Sequence, residues 1–220
     1  MFNCNHNGRC CEDPTTQISL TLGDLKRISM KHKKTVVQLY QEGIIGIFPF
    51  GNPFKDNEYE TDVGLFVPCK HRIYDERIGK TICSVYEKRP LNCRLFPIWI
   101  LADAPLSEII DFSEKHPCGK CCGIDDDFEE DRKIYRAYKN DLVKILETEV
   151  HLSDPFYEKI GLKQKIITKK SKTQKDDLVI VKKLVKKLQK QNFTDVFTKI
   201  EQEIAKHNFV VNLPSMGDYL

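Results

Sequence analysis

Nine cysteines, all between residues 4 and 122 of a 220-residue chain, constrain this protein more than any other feature. The N-terminal residues MFNCNHNGRCC have neither the basic start nor the apolar run of a secretory signal. We therefore expect a cytoplasmic, reducing location, where thiols bind metals or carry out redox chemistry more often than they form disulfides. An odd number of cysteines also cannot pair completely within one chain. The sequence thus predicts a protein that depends on its cysteines as thiols.

The remaining composition predicts a folded chain with two parts of opposite charge. With 40% hydrophobic and 30% charged residues, the chain can bury a core. No window approaches the roughly 18 apolar residues that a membrane span needs. Residues 1–158 are net acidic, whereas residues 159–190 carry twelve lysines against two aspartates. We interpret residues 1–152 as a cysteine-cluster domain, 153–173 as a linker and 174–220 as a basic helical extension.

Hydrophobic spacing predicts an α+β fold that is predominantly α. Two short helices are expected after caps at Thr21 and Thr35, and the second should end at Gly43. The acidic run IDDDFEED should start a long helix that continues to about Val150. Amphipathic helices are also expected in DDLVIVKKLVKKLQKQ and FTDVFTKIEQEIAKH, within the C-terminal extension.

The sequence between these helices predicts a small β-hairpin and several irregular segments. The hairpin is expected in LFVPCKHRIYDERIGKTICSVY, which carries Cys69 and Cys83. A short helical turn should follow between Pro90 and Pro97. Residues 44–64 mix Gly and Pro with aromatic residues and are expected to be irregular, and IWILAD is expected to be a strand.

The cysteines lie in four segments that together can supply a metal site. Thiolates are soft donors, and four of them in a tetrahedral arrangement suit zinc or an iron–sulfur cluster. A ring of thiolates repels itself without a cation, so metal binding and folding are expected to be coupled. The alternative is that they are small apolar core residues, which accounts less well for their grouping beside Gly and Pro. The predicted metal ligands are Cys4, Cys10, Cys11, Cys69, Cys83, Cys93, Cys118, Cys121 and Cys122.

The central cysteine block resembles a known family. The run CSVYEKRPLNCRLFP over residues 83–97, with Pro68-Cys69 and GRCC upstream, is similar to the YkgJ-like CxxCxxCC cysteine-cluster family, whose members chelate zinc or iron. The resemblance covers roughly residues 1–150. Two features depart from the family pattern. Five residues separate Cys4 from Cys10, and three cysteines stand near residue 120 where the family tends to have one.

Three hypotheses for the function follow. The first is a metal-binding protein that coordinates an iron–sulfur cluster or zinc, with a 4Fe–4S cluster favoured by the family analogy. The second is a protein-modifying enzyme similar to a relative, the flagellin lysine methylase, which is associated with an iron–sulfur centre and S-adenosylmethionine. The third is a zinc-stabilised adaptor whose Lys-rich tail binds RNA or an acidic protein. The sequence has no glycine-rich GxGxxG loop for a methyl donor.

Several charged residues near the cysteines are candidates for a supporting role. His6, His71 and His116 could each replace a thiolate as a ligand, and His71, two residues after Cys69, is the best placed of them. Arg89 and Arg94 flank Cys93. Their guanidinium groups could offset thiolate charge, or they could pair with nearby acids such as Glu87.

Overall fold

The computed structural model describes residues 11–12, 18–52, 55–66, 68–115, 128–168 and 174–219. These residues form an α+β fold that is predominantly α, as the sequence predicts. Their helices are α1 (Leu22–His32), α2 (Val36–Gln41), α3 (Leu91–Leu95), α4 (Ile98–Asp103), α5 (Leu106–Lys115), α6 (Phe128–Lys159), α7 (Gln174–Gln189) and α8 (Thr194–Ile204). Their strands are β1 (Ile45–Asn52), β2 (Lys55–Leu65), β3 (Arg72–Asp75), β4 (Lys80–Cys83) and β5 (Lys165–Ile167).

The two N-terminal helices each begin at a capping box. The Thr21 hydroxyl accepts the Asp24 N–H at 3.0 Å, and the Asp24 carboxylate accepts the Thr21 N–H at 3.3 Å. Thr35 and Gln38 form the same reciprocal pair at the start of α2. Each box satisfies two backbone donors that the helix itself cannot. Both short helices and both predicted caps are confirmed.

The segment predicted to be irregular, residues 44–64, instead forms most of a long antiparallel strand pair, so that prediction is wrong. Gly46 in β1 lies opposite Gly64 in β2, and a Cβ at Gly46 would lie 2.8 Å from the Phe66 ring. Pro49 is tolerated because β1 is at the edge of its sheet, where one side of the strand needs no partner. In this strand pair the glycines allow phenyl rings to pack closely against the backbone, and the proline lies in an edge strand.

The predicted hairpin and the short helix after it are confirmed. Strands β3 and β4 pair with Ile73 opposite Ile82 and Arg72 opposite Cys83. Helix α3 lies between Pro90 and Pro97. Strand β4 and helix α3 therefore carry two of the predicted ligands, Cys83 and Cys93, on regular structure, and Cys69 lies three residues before β3.

The segment IWILAD is helix α4, so the predicted strand is wrong. Ile98, Leu101 and Ala102 are buried, whereas Trp99 is 54% exposed. This spacing of three and four residues is helical, but a six-residue apolar run is too short to separate helix from strand by pattern.

Helix α6 confirms the predicted long helix and extends it to Lys159, with Pro155 inside it. The predicted linker, residues 153–173, is therefore partly regular. It holds the end of α6 and strand β5, which pairs with β2 through Ile166 opposite Tyr59. The division of the chain into domains stays a prediction.

Two hydrophobic cores hold these elements. The first contains residues from both ends of the chain, since Leu25 and Leu39 share it with Phe197 and Ile200. The Tyr40 and Phe197 rings stack in this region with their centroids 4.4 Å apart. The second core joins α3, α4 and α6. Among the described residues, no helix is long and apolar enough to cross a membrane.

Candidate metal centre

Three chain segments bring described cysteines together at the base of the hairpin. The Cys69 N–H donates to the Cys11 carbonyl at 2.9 Å, which sets these two residues side by side. The Arg72 N–H donates to the Cys69 carbonyl at 3.1 Å, and Arg72 lies opposite Cys83 across the hairpin. Cys11, Cys69 and Cys83 are therefore held by backbone hydrogen bonds and strand register. All three are half-buried.

Cys93, in α3, lies close enough to this group to interact with it electrostatically. Burial raises the pKa of the Cys93 thiol, and negative charge on Cys69 and Cys83 raises it further, whereas Arg89 lowers it. Cys93 and Cys69 also both pack against the first core. Thiolates this close and this dry repel one another, so a bound cation would be needed to keep them deprotonated.

His71 lies between two of these cysteines in the chain and is 2% exposed. Its Nδ1 is 3.3 Å from Nε2 of His32, the last residue of α1, and its Nε2 has no hydrogen-bond partner. The His71 carbonyl accepts the Ser84 N–H at 2.8 Å, which ties His71 to the residue after Cys83. Burial, with a smaller effect of His32, lowers the pKa of His71 to about 4, so its imidazole is neutral.

The chemistry of these donors fits a zinc or iron centre. Four cysteine sulfurs and the buried His71 Nε2, which has no hydrogen-bond partner, are the soft and borderline donors that such metals prefer. No three His, Cys, Asp or Glu residues within the described ranges are arranged so that they alone could hold a metal ion. The other predicted ligands and two of the candidate histidines lie outside the described residues. They are Cys4, Cys10, Cys118, Cys121, Cys122, His6 and His116.

A family model named CxxCxxCC, described as "Putative zinc- or iron-chelating domain", matches residues 3–116, slightly more than half of the chain. The chain belongs to the CxxCxxCC family. The matched range includes six of the nine cysteines and ends before Cys118, so the last three and the Lys-rich segment lie beyond it. No curated protein and no solved structure matches the chain.

The two arginines of the CxxCxxCC block have different surroundings. Arg89 lies over the Tyr86 ring, 3.9 Å from its centroid, and its charge lowers the pKa of Cys93. Arg94 is buried and donates to the Glu87 backbone carbonyl and, at 2.9 Å, to the Pro214 carbonyl. Arg89 is therefore the arginine whose charge offsets that of the thiolates, as predicted. Arg94 holds backbone carbonyls together, and its contact with Glu87 is to the main chain.

A buried ion triad beside α3 was not predicted from the sequence. Arg27 donates to Asp24 at 2.6 Å and to both Glu149 oxygens at 2.6 and 2.9 Å, and all three side chains are at most 3% exposed. Besides the Thr21 N–H, the Asp24 carboxylate accepts the N–H of Leu91, two residues before Cys93, at 3.0 Å. Arg27 also donates to the Val210 carbonyl at 2.9 Å. The triad thus links α1, α6, α3 and the C-terminal segment.

Asn92 of α3 lines a cavity of about 210 Å³ together with Asp62, Asp154 and Lys163. Lys163 is 2.8 Å from Asp62 and 3.1 Å from Asp154. Burial raises the pKa of Asp62 to about 6 although Lys163 opposes this. Burial lowers the pKa of Lys163, but its several carboxylate neighbours outweigh that and raise it. Lys163 is therefore the firmly charged partner, and Asp62 is the group that titrates.

Proposed function

We propose that this protein binds a metal through a thiolate centre that includes Cys11, Cys69, Cys83 and Cys93. The observation that carries the proposal is the geometry at the base of the hairpin. Arg72, which lies opposite Cys83, donates to the Cys69 carbonyl at 3.1 Å, and Cys69 and Cys93 pack against the same core. The hydrogen bond from Cys69 to the Cys11 carbonyl adds the fourth residue. Cysteines outside the described residues would complete this centre or form a second one.

We propose an iron–sulfur cluster as the metal group, with a 4Fe–4S cluster favoured over zinc. The supporting feature is the donor pattern. Structural zinc sites typically use two short CxxC-like knuckles, whereas the described cysteines enter singly from a loop, a hairpin and a helix. Clusters of this kind form and persist in reducing surroundings, which supports a cytoplasmic location as part of the same proposal.

Anaerobic purification of the full chain tests the metal proposal. We expect brown protein with visible absorption and with iron and acid-labile sulfide in stoichiometric amounts. Colourless protein with stoichiometric zinc would reject the cluster and keep the thiolate centre, and protein without any metal would reject both. Cys69→Ser, Cys83→Ser and Cys93→Ser should each lower the metal content. The control Met30→Ser, which removes an exposed sulfur, should not.

A second proposed function is RNA binding by the exposed lysines of α7. Leu188 is buried in the first core, which fixes the helix so that a row of lysines faces solvent. None of them forms an ion pair with another described residue. Four of these lysines lie in α7 and one directly follows it, and they are Lys182, Lys183, Lys186, Lys187 and Lys190. Regular, unpaired lysines bind a phosphate backbone by releasing its counterions.

Fluorescence anisotropy with a labelled RNA duplex tests this surface. Affinity should fall as salt rises, and replacing the five lysines by Gln should remove most of the binding. Matched Gln replacements of exposed lysines elsewhere, Lys80, Lys133 and Lys144, should have a smaller effect. Equal losses in both variants, or salt-independent binding, would contradict a specific role for α7.

The enzyme hypothesis stays a prediction. A titration with S-adenosylmethionine followed by calorimetry tests it directly, because a methylase of that type must bind this methyl donor. Heat of binding with a stoichiometry near one would support an enzyme, and its absence would argue against a methylase.

A further inference from the structure

We propose that His71 is a nitrogen ligand of the metal centre through its Nε2 atom, and that His32 holds the His71 ring in the orientation required. The proposal rests on the proposed thiolate centre and adds to it a donor of a different chemical type. It assigns to the His32–His71 pair a role that neither the CxxCxxCC spacing nor the cysteines themselves require.

The first argument is the unsatisfied nitrogen. Buried side-chain nitrogen atoms nearly always have a hydrogen-bond partner, and an exception points to an ion or a water that binds there. His71 is 2% exposed and its Nε2 has no partner. Leaving a polar atom buried in this way costs free energy. A metal ion that accepts the Nε2 lone pair would remove this cost.

The second argument is the position of His71 in the chain. It follows Cys69 by two residues, and its carbonyl accepts the N–H of Ser84, the residue after Cys83. The His71 main chain is thus fixed between two proposed thiolate ligands at the open end of the hairpin. His71 can therefore supply a further metal ligand from the same chain segment that already carries Cys69 and Cys83.

The third argument is the contact with His32. Metal-bound histidines almost always donate their second ring N–H to a neighbouring acceptor, which fixes the tautomer. If Nε2 carries the metal, Nδ1 carries the hydrogen, and Nδ1 is the atom 3.3 Å from His32 Nε2. The two rings therefore have the arrangement of a ligand and its supporting residue.

X-ray absorption on the full chain, at the edge of the metal found on purification, tests this proposal. Nitrogen and sulfur ligands differ in distance, at about 2.0–2.1 Å and about 2.3 Å for zinc. We expect a nitrogen contribution in the wild-type protein that is lost in His71→Ala, together with at least a tenfold weaker metal affinity. The control His151→Ala, at an exposed position on α6, should keep both.

His32 has its own test, because a positioning residue and a ligand differ in their spectra. His32→Ala should weaken metal binding about tenfold while the nitrogen contribution remains. His32→Gln should restore part of the affinity, because its amide oxygen can accept the Nδ1 hydrogen. A loss without any rescue by Gln would overturn the positioning role.

The outcomes separate this proposal from the metal proposal itself. Wild-type protein with metal but purely sulfur coordination would overturn the role of His71 and leave the thiolate centre intact. A nitrogen contribution that persists in His71→Ala would also overturn it. If His71→Ala does not fold, His71→Cys keeps a donor and should replace the nitrogen signal by sulfur. Protein that binds no metal would reject the thiolate centre first.

Discussion

Replacing Glu149 by Ala removes one carboxylate of the buried triad that joins α6 to α1. Arg27 would lose two of the four hydrogen bonds that its terminal nitrogens make, and it would keep those to Asp24 and to the Val210 carbonyl. The Thr21 hydroxyl would also lose its acceptor. The arginine would remain completely buried, so water could not replace the lost partner without opening the structure.

Breaking a buried ion pair from one side typically destabilises a protein by about 3–5 kcal/mol. Asp24 still neutralises Arg27 in the variant, so we expect the lower end of that range, about 3 kcal/mol. For a chain of this length such a loss lowers the melting temperature by roughly 10 °C. The stability of Glu149→Gln should lie between those of the wild type and Glu149→Ala, because its amide keeps one acceptor and places an N–H group against the guanidinium.

Urea titration followed by far-ultraviolet circular dichroism measures this loss when all proteins carry the same metal content. The matched control is Glu147→Ala, which removes an exposed carboxylate two residues away on the same helix. Because Asp24 also binds the Leu91 N–H beside Cys93, the Glu149 variant should release metal faster than the control. A difference of less than about 1 kcal/mol between the two variants would refute the reasoning, since that is the size expected of a surface ion pair.

Four further predictions address the core, the cavity and the centre. Gly23→Ala would place a Cβ 2.1 Å from the Glu149 carboxyl carbon, so it should destabilise the fold by about 1–3 kcal/mol. In a Glu149→Ala background the same substitution should cost less, and urea titration measures both losses. Because burial raises the pKa of Asp62 to about 6, its contribution to stability is complete below about pH 4 and is lost as the pH rises through 6. Relative to Asp62→Asn, the wild type should therefore lose up to about 3 kcal/mol over that window, and a constant difference across pH would contradict it. Cys93→Ser should lower the metal content, which metal analysis measures. It should have little effect on the free energy of unfolding of metal-free protein, which urea titration measures. Leu142→Ala, in the second core, should do the reverse and cost about 2–5 kcal/mol.

The helices were predictable from the sequence where local chemistry decides the structure. Thr21 and Thr35 are followed three residues later by Asp24 and Gln38, and those side chains complete the caps. The stripe of apolar residues in α6 likewise repeats over enough turns to define one buried face. Such signals lie within a few residues of one another, so they are present in the sequence before any tertiary contact forms.

Strands β1 and β2, unlike the β3–β4 hairpin, were not predicted because their glycines and proline are also typical of loops. Gly46 and Gly64 resemble loop residues until the phenyl rings that cover them are known. Pro49 suggests a chain break until β1 is known to be an edge strand. These positions are read correctly only with knowledge of the neighbouring strand or ring.

His71 was predicted as a candidate ligand, but Arg27, His32 and Glu149 were missed for a different reason. Arg27 and Glu149 are 122 residues apart, and His32 and His71 are 39 residues apart. No spacing rule connects residues that distant. The cysteines could be predicted as ligands because their chemistry is specific, whereas an arginine or a histidine in a helix has many ordinary uses.

The carbonyls of Val210 and Pro214 complete the surroundings of Arg27 and Arg94, which lie in the part of the chain that bears the cysteines. Residues 210–214 follow every cysteine of the chain, so Arg27 and Arg94 gain these two acceptors only when the C-terminal segment joins the fold. A variant truncated before residue 210 would leave each guanidinium group one acceptor short.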